Sequence, residues 1–175
     1  MKKNNKFSSF CSFLALASGN IWFGAYIARL LLTYQLFEPT EPVLKNYVTN
    51  NNLPAIIQTT FPLVNLTFFS YLVLIFFFTL FLIFTKLKLK ENGWLFIISM
   101  IIYLTLPFEA VLLTIDYKLI VLFINEQFAS AEVLKLIIER ITLLSSFPII
   151  LILSYLSVPF FLVVKPFTLK SKDEN

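Results

Sequence analysis

Arg29 and Glu109 are ionisable residues set inside long apolar stretches of the sequence. If those stretches cross a bilayer, each charge costs about 2.5–3.5 kcal/mol on insertion scales and needs a partner or a task. A guanidinium and a carboxylate can neutralise each other, or can together bind a proton or solute. Helix arithmetic puts the two near one level. Lys6 to Arg29 is 23 residues, roughly 34 Å of helix, and Lys90 to Glu109 is 19 residues, roughly 28 Å. Helical side chains lean toward their own N-terminus, so Arg29 can close the remaining gap of about 6 Å. An intramembrane Arg29–Glu109 ion pair is therefore expected.

Other polar groups fall at the same end. Asp116 follows Glu109 by seven residues on nearly the same helix face, Asn65 and Thr67 open the second apolar stretch, and Ser145 and Ser146 open the fourth. Pro107 frees the Tyr103 carbonyl, because proline has no N–H with which to complete the helix ladder. Asn65, Thr67, Tyr103, Asp116 and Ser145 thus sketch an outward-facing polar pocket. The opposing reading is structural: Arg29 snorkels or pairs, Asp116 sits at the interface, and the small-residue spacings Ala15-x-x-x-Gly19 and Gly24-x-x-x-Ala28 serve helix packing. The structural reading is preferred.

The composition removes much other chemistry. With no histidine there is no imidazole base, no Ser-His-Asp relay and no histidine-ligated metal. The single Cys11 excludes an intrachain disulfide and any multi-cysteine metal site. Gly19 and Gly24 have the spacing of a phosphate loop, but Ala25-Tyr26 follow where Lys-Ser/Thr is required. Glu109 and Asp116 could act as carboxylate acid and base, yet seven helical residues place them about 10 Å apart along the axis, with no nucleophile beside them. No cofactor, metal or nucleic acid is expected.

The elements that must position these residues are read from hydrophobicity. Of the 175 residues 58% are hydrophobic and 14% charged, against about 45–50% and about 25% in a soluble domain. Four segments reach the roughly 20 apolar residues that a bilayer core demands: 10–36, 61–84, 94–115 and 141–164. Leu72 to Leu82 is continuously apolar apart from Thr79 and does not alternate as a barrel strand does. The expected fold is a single all-α membrane domain of four helices in an antiparallel bundle. Leu119 to Phe123 is too short to cross and continues the third helix or lies at the interface.

Basic residues set the orientation. Lys2, Lys3 and Lys6, the loop residues Lys86, Lys88 and Lys90, and Lys165, Lys170 and Lys172 fall on one side; the outer loops 37–60 and 116–140 hold Lys45, Lys118, Lys135 and Arg140. The positive-inside rule makes the first side, with both termini, cytoplasmic. A bacterial inner membrane is the expected location. Ala15-Leu16-Ala17 imitates a signal cleavage site, but the apolar pattern continues to Leu36, so an uncleaved helix is expected. Phe10 before Cys11 argues against a lipoprotein cysteine.

Within the first outer loop, Val43, Leu44, Tyr47 and Val48 form one face of a short surface helix, and Thr59-Thr60 before Pro62 reads as a helix start. In the second loop Val133, Leu134, Ile137, Ile138 and Ile141 form an apolar stripe opposite Glu132, Lys135 and Glu139, an amphipathic helix leading into the fourth span with a bend near Ser145-Ser146-Phe147-Pro148. The 21 phenylalanines are read as lipid-facing or core rather than as a stacking or quinone surface. Functionally, the chain reads as a non-enzymatic accessory or structural subunit of a membrane complex, with the bilayer and other membrane subunits, or its own copies, as partners. Its alternatives are a small oligomeric transporter or channel protomer using Arg29 and Glu109, and a lipid-modifying membrane enzyme.

Overall fold

The computed structural model describes residues 5–38, 41–124, 129–143 and 147–169, and they form five helices: α1 (Lys6–Leu36), α2 (Leu53–Phe84), α3 (Gly93–Ile124), α4 (Ser130–Thr142) and α5 (Phe147–Val164). α1, α2, α3 and α5 are long and apolar enough to cross a membrane. α4 is shorter and amphipathic, with Val133 and Leu136 buried.

Three boundaries depart from the sequence reading. α2 begins at Leu53 instead of near Phe61, because Pro54 sits in the first turn, where a missing N–H is harmless, and the helix then runs through Pro62. The Asn52 side chain organises the turn before it, accepting from the Thr49 N–H at 2.8 Å and donating to the Tyr47 carbonyl at 2.8 Å. α3 continues to Ile124 and absorbs the short apolar run at Leu119–Phe123. α4 ends at Thr142 and α5 begins at Phe147 instead of Ile141, and Ser145 and Ser146, where the bend was expected, lie outside the described residues.

The short helix expected over Val43–Val48 is absent. The chain there folds back on the end of α1: Phe37 bridges Leu44, the Glu38 N–H donates to the Val43 carbonyl at 2.8 Å, and the Lys45 N–H to the Leu36 carbonyl at 3.0 Å. These bonds occupy backbone groups that a helix would need, and they bury Phe37 and Val48 while Val43 and Tyr47 stay exposed.

Two apolar clusters flank a polar layer. The first is centred on Trp22, whose ring lies 5.4, 5.0 and 4.6 Å from those of Tyr26, Tyr71 and Tyr155. It extends through Leu74, Phe78 and Ile98 to Phe81 and Trp94. The second gathers Leu36, Ile57, Ile115, Leu119 and Val133 at the other end of the long helices. Between them Arg29, Thr67, Glu109 and Asp116 are all buried. The outer faces of the long helices are the reverse, with residues such as Leu104, Ile149 and Val163 at 61%, 64% and 82% exposure.

Candidate functional site

Three helices deliver the polar side chains of that layer, and a fourth adds Arg140. Arg29 lies two turns beyond Trp22 on the buried face of α1, Thr67 one turn before Tyr71 on α2, and Glu109 and Asp116 share the buried face of α3. Arg140 comes from the last turn of α4, in register with Val133 and Leu136.

Asp116 is the centre. Arg29 grips it with two parallel bonds, Nη2 to Oδ1 at 2.6 Å and Nη1 to Oδ2 at 2.8 Å, the bidentate geometry in which guanidinium recognises a carboxylate best. Arg140 adds Nε to Oδ1 at 2.9 Å. Arg29 Nη1 also reaches the Thr67 hydroxyl at 3.3 Å, and that hydroxyl donates onward to the Leu63 carbonyl at 2.8 Å. Burial penalises the Arg140 charge, but the Asp116 and Glu109 carboxylates outweigh it and hold the guanidinium above its ordinary pKa. The Arg140 guanidinium further stacks over the Tyr26 ring, 5.8 Å from its centre. A small cavity of about 40 Å³ beside Arg29 and Arg140, with Thr33, Tyr34 and Thr60 on its wall, has room for little more than a water molecule.

The expected Arg29–Glu109 pair does not form: Arg29 takes Asp116. Lys90, Glu91 and Asn92 stand in a turn before α3, so the helix rise starts at Gly93. Counted from the helix starts, Arg29 and Asp116 are each 23 residues along, and Glu109 only 16. Glu109 is buried to 2% exposure, makes no ion pair among the described residues, and its Oε1 has no hydrogen-bond partner. The Tyr26 hydroxyl, within electrostatic range of Glu109, is unpartnered among the described residues as well, and the Tyr71 hydroxyl lies close to those of Tyr155 and Thr105.

The other pocket residues divide. Thr67 and Asp116 belong to the cluster. Asn65 does not: two positions from Thr67 it points to another face of α2, half-buried and without a hydrogen bond among the described residues. Tyr103 is exposed and bonds the Thr79 hydroxyl at 2.9 Å, two turns from Glu109. Ser145 lies outside the described residues. Of the packing residues, Ala15 is buried, and a side chain at Gly19 would meet Leu74 of α2 at 3.4 Å. A side chain at Gly24 would meet nothing within 4 Å, and Ala28 is half-buried, so the second small-residue spacing is open at its glycine.

Arg140 is the residue that sequence reading missed, having been assigned to the outer loop for its charge. A signal was present: it falls seven residues after Val133 and four after Leu136, on the apolar face of α4. Among the described residues no group of histidine, cysteine, aspartate and glutamate could hold a metal ion. Comparison with protein-family models, curated proteins and solved structures returns no match.

Proposed function

We propose that this chain is a multi-pass integral membrane protein, a four-helix antiparallel bundle with the start of α1 and the end of α5 on the cytoplasmic side, acting as a non-enzymatic accessory or structural subunit. The apolar outer faces of the four long helices support insertion, since contiguous exposed apolar surface of this extent needs lipid or protein over it. Contacts of Phe7 with Phe84, Phe10 with Phe77 and Trp22 with Tyr71 support an antiparallel pairing of α1 and α2.

The observation that carries the structural role is the engagement of both Asp116 oxygens by arginines. These come from two other helices, so the strongest charge in the layer is spent on joining α1, α3 and α4. A carboxylate holding three charge-assisted bonds at 2% exposure is suited to fastening a scaffold. Purification from native membrane in mild detergent tests the reading. A partner at fixed stoichiometry is expected; a chain that repeatedly elutes alone as a monomer overturns it.

One observation favours a second reading, a proton-linked transporter or channel protomer. Glu109 is a buried carboxylate with an unpartnered oxygen amid tyrosine hydroxyls, an arrangement suited to taking up and releasing a proton. Glu109→Gln in reconstituted vesicles separates the two: loss of proton or solute flux at unchanged stability supports transport, and absence of any flux in the wild-type chain removes it.

A further inference from the structure

Away from the polar layer, α1, α2, α3 and α5 enclose a slot of about 310 Å³, at the lower end of the roughly 300–1,000 Å³ of small-molecule sites. α1 and α5 meet where Trp22 and Phe23 touch Tyr155. From there toward the start of α1 the slot separates them. Its wall is apolar, with Leu74, Phe78, Ile98 and Val158 among the lining residues, and it opens sideways between Leu16 and Val163, both exposed. Along α1 it runs from Ser12 to Phe23, about 16 Å of helix. Water in such a slot forfeits its hydrogen bonds. A slot open to the bilayer takes up hydrocarbon.

The rim says which hydrocarbon. Trp94 closes the cytoplasmic end, and the Lys165 ammonium stands 5.6 Å from its ring centre. Lys165 makes no ion pair among the described residues, whereas neighbouring Lys88 is held by Glu91 at 2.8 Å. An aromatic wall ending in a cation without a carboxylate partner among the described residues matches a lipid whose tail meets its negative headgroup at that depth. Because a tail leaving the bilayer gains no burial from water, selectivity has to come from the headgroup.

We propose that this slot is a specific site for one acyl chain of an anionic phospholipid, with the phosphate placed at Lys165. The proposal rests on the membrane reading above, and its test keeps the two separable. The full chain is reconstituted into phosphatidylcholine vesicles containing a small fraction of acyl-brominated phosphatidylglycerol or acyl-brominated phosphatidylcholine, and tryptophan quenching is followed against bromolipid fraction. The anionic bromolipid is expected to quench at about a fivefold lower fraction, the worth of one lysine–headgroup contact. Lys165→Gln merges the two curves. Val158→Phe, which puts a ring into the slot, also abolishes the preference, and Leu162→Phe serves the same purpose if Val158→Phe does not fold. Equal curves in the wild-type chain overturn the proposal, as does a preference that Lys165→Gln or a ring-inserting variant leaves unchanged. Flotation of the same samples reports insertion separately: a chain that floats but shows equal curves loses the slot alone, and one that does not float loses the membrane reading itself.

Discussion

Asp116 accepts from Arg29, which is buried, and from Arg140, which is largely buried, so removing its charge leaves two cations with little access to water. Asp116→Asn is expected to cost about 3–5 kcal/mol, the range for breaking a buried pair by deleting one partner, and thermal unfolding in detergent will show it as a large drop in midpoint. Arg140→Ala removes a single charge-assisted bond and should cost less, about 1.5–3 kcal/mol. Glu109→Gln is the contrast: no ion pair is lost, and the change is expected to stay within about 1 kcal/mol. Equal losses for Asp116→Asn and Glu109→Gln would mean that the carboxylates share the arginines after all. The sequence placed Arg29 and Glu109 at one level inside the apolar helices, because charges there have few alternatives, but it set Asp116 at the interface, whereas Asp116 is 2% exposed at the centre of the cluster. It did not assign the partner, because three turn residues before Gly93 shifted the count of rise by almost one helical turn, and the two carboxylates stand only seven residues apart.

The helices and their termini test different physics. After α5 the chain turns back through Lys165 and Phe167, both in the left-handed region at φ 46° and 59°, a conformation costing a bulky residue about 1–3 kcal/mol. The strain is held by the N–H of Gly93 donating to the Phe167 carbonyl at 3.0 Å and that of Leu169 to the Glu91 carbonyl at 2.9 Å. A Cβ at Gly93 would lie 2.7 Å from that of Phe167. Gly93→Ala is therefore expected to destabilise by about 1–3 kcal/mol through overpacking and to release the strap, which limited proteolysis after α5 would detect. Gly24→Ala faces open space and should instead stabilise by about 0.5–1 kcal/mol, the gain of alanine over glycine inside a helix. Two glycines of one chain thus predict opposite signs. Long elements were legible from composition, since runs of apolar residues past 20 leave few choices. The Val43–Val48 helix was misread because its four apolar positions also suit a chain folded back on Leu36 and Phe37, and a pattern that short does not separate the two.

At the scale of the whole molecule, the lysines that argued for orientation now have positions on the elements. Lys88 lies between α2 and α3, Lys45 between α1 and α2, and Lys135 on the exposed face of α4. If each long helix crosses the bilayer once, Lys135 is one crossing from Lys88, and Lys45 is one crossing from Lys88 in the other direction. Lys45 and Lys135 must then share a side that Lys88 does not. The chain supplies its own control, because its single thiol, Cys11, is fully buried and should resist a membrane-impermeant maleimide. With Lys45→Cys, Lys88→Cys and Lys135→Cys made singly, intact cells are expected to label the first and third, and Lys88→Cys to label only after permeabilisation. The reverse pattern would keep four crossings and invert the positive-inside assignment. Labelling of Lys88→Cys and Lys135→Cys from one side would mean that α3 does not cross, and the Arg29–Asp116–Arg140 cluster would then need a setting other than the outer half of a bilayer.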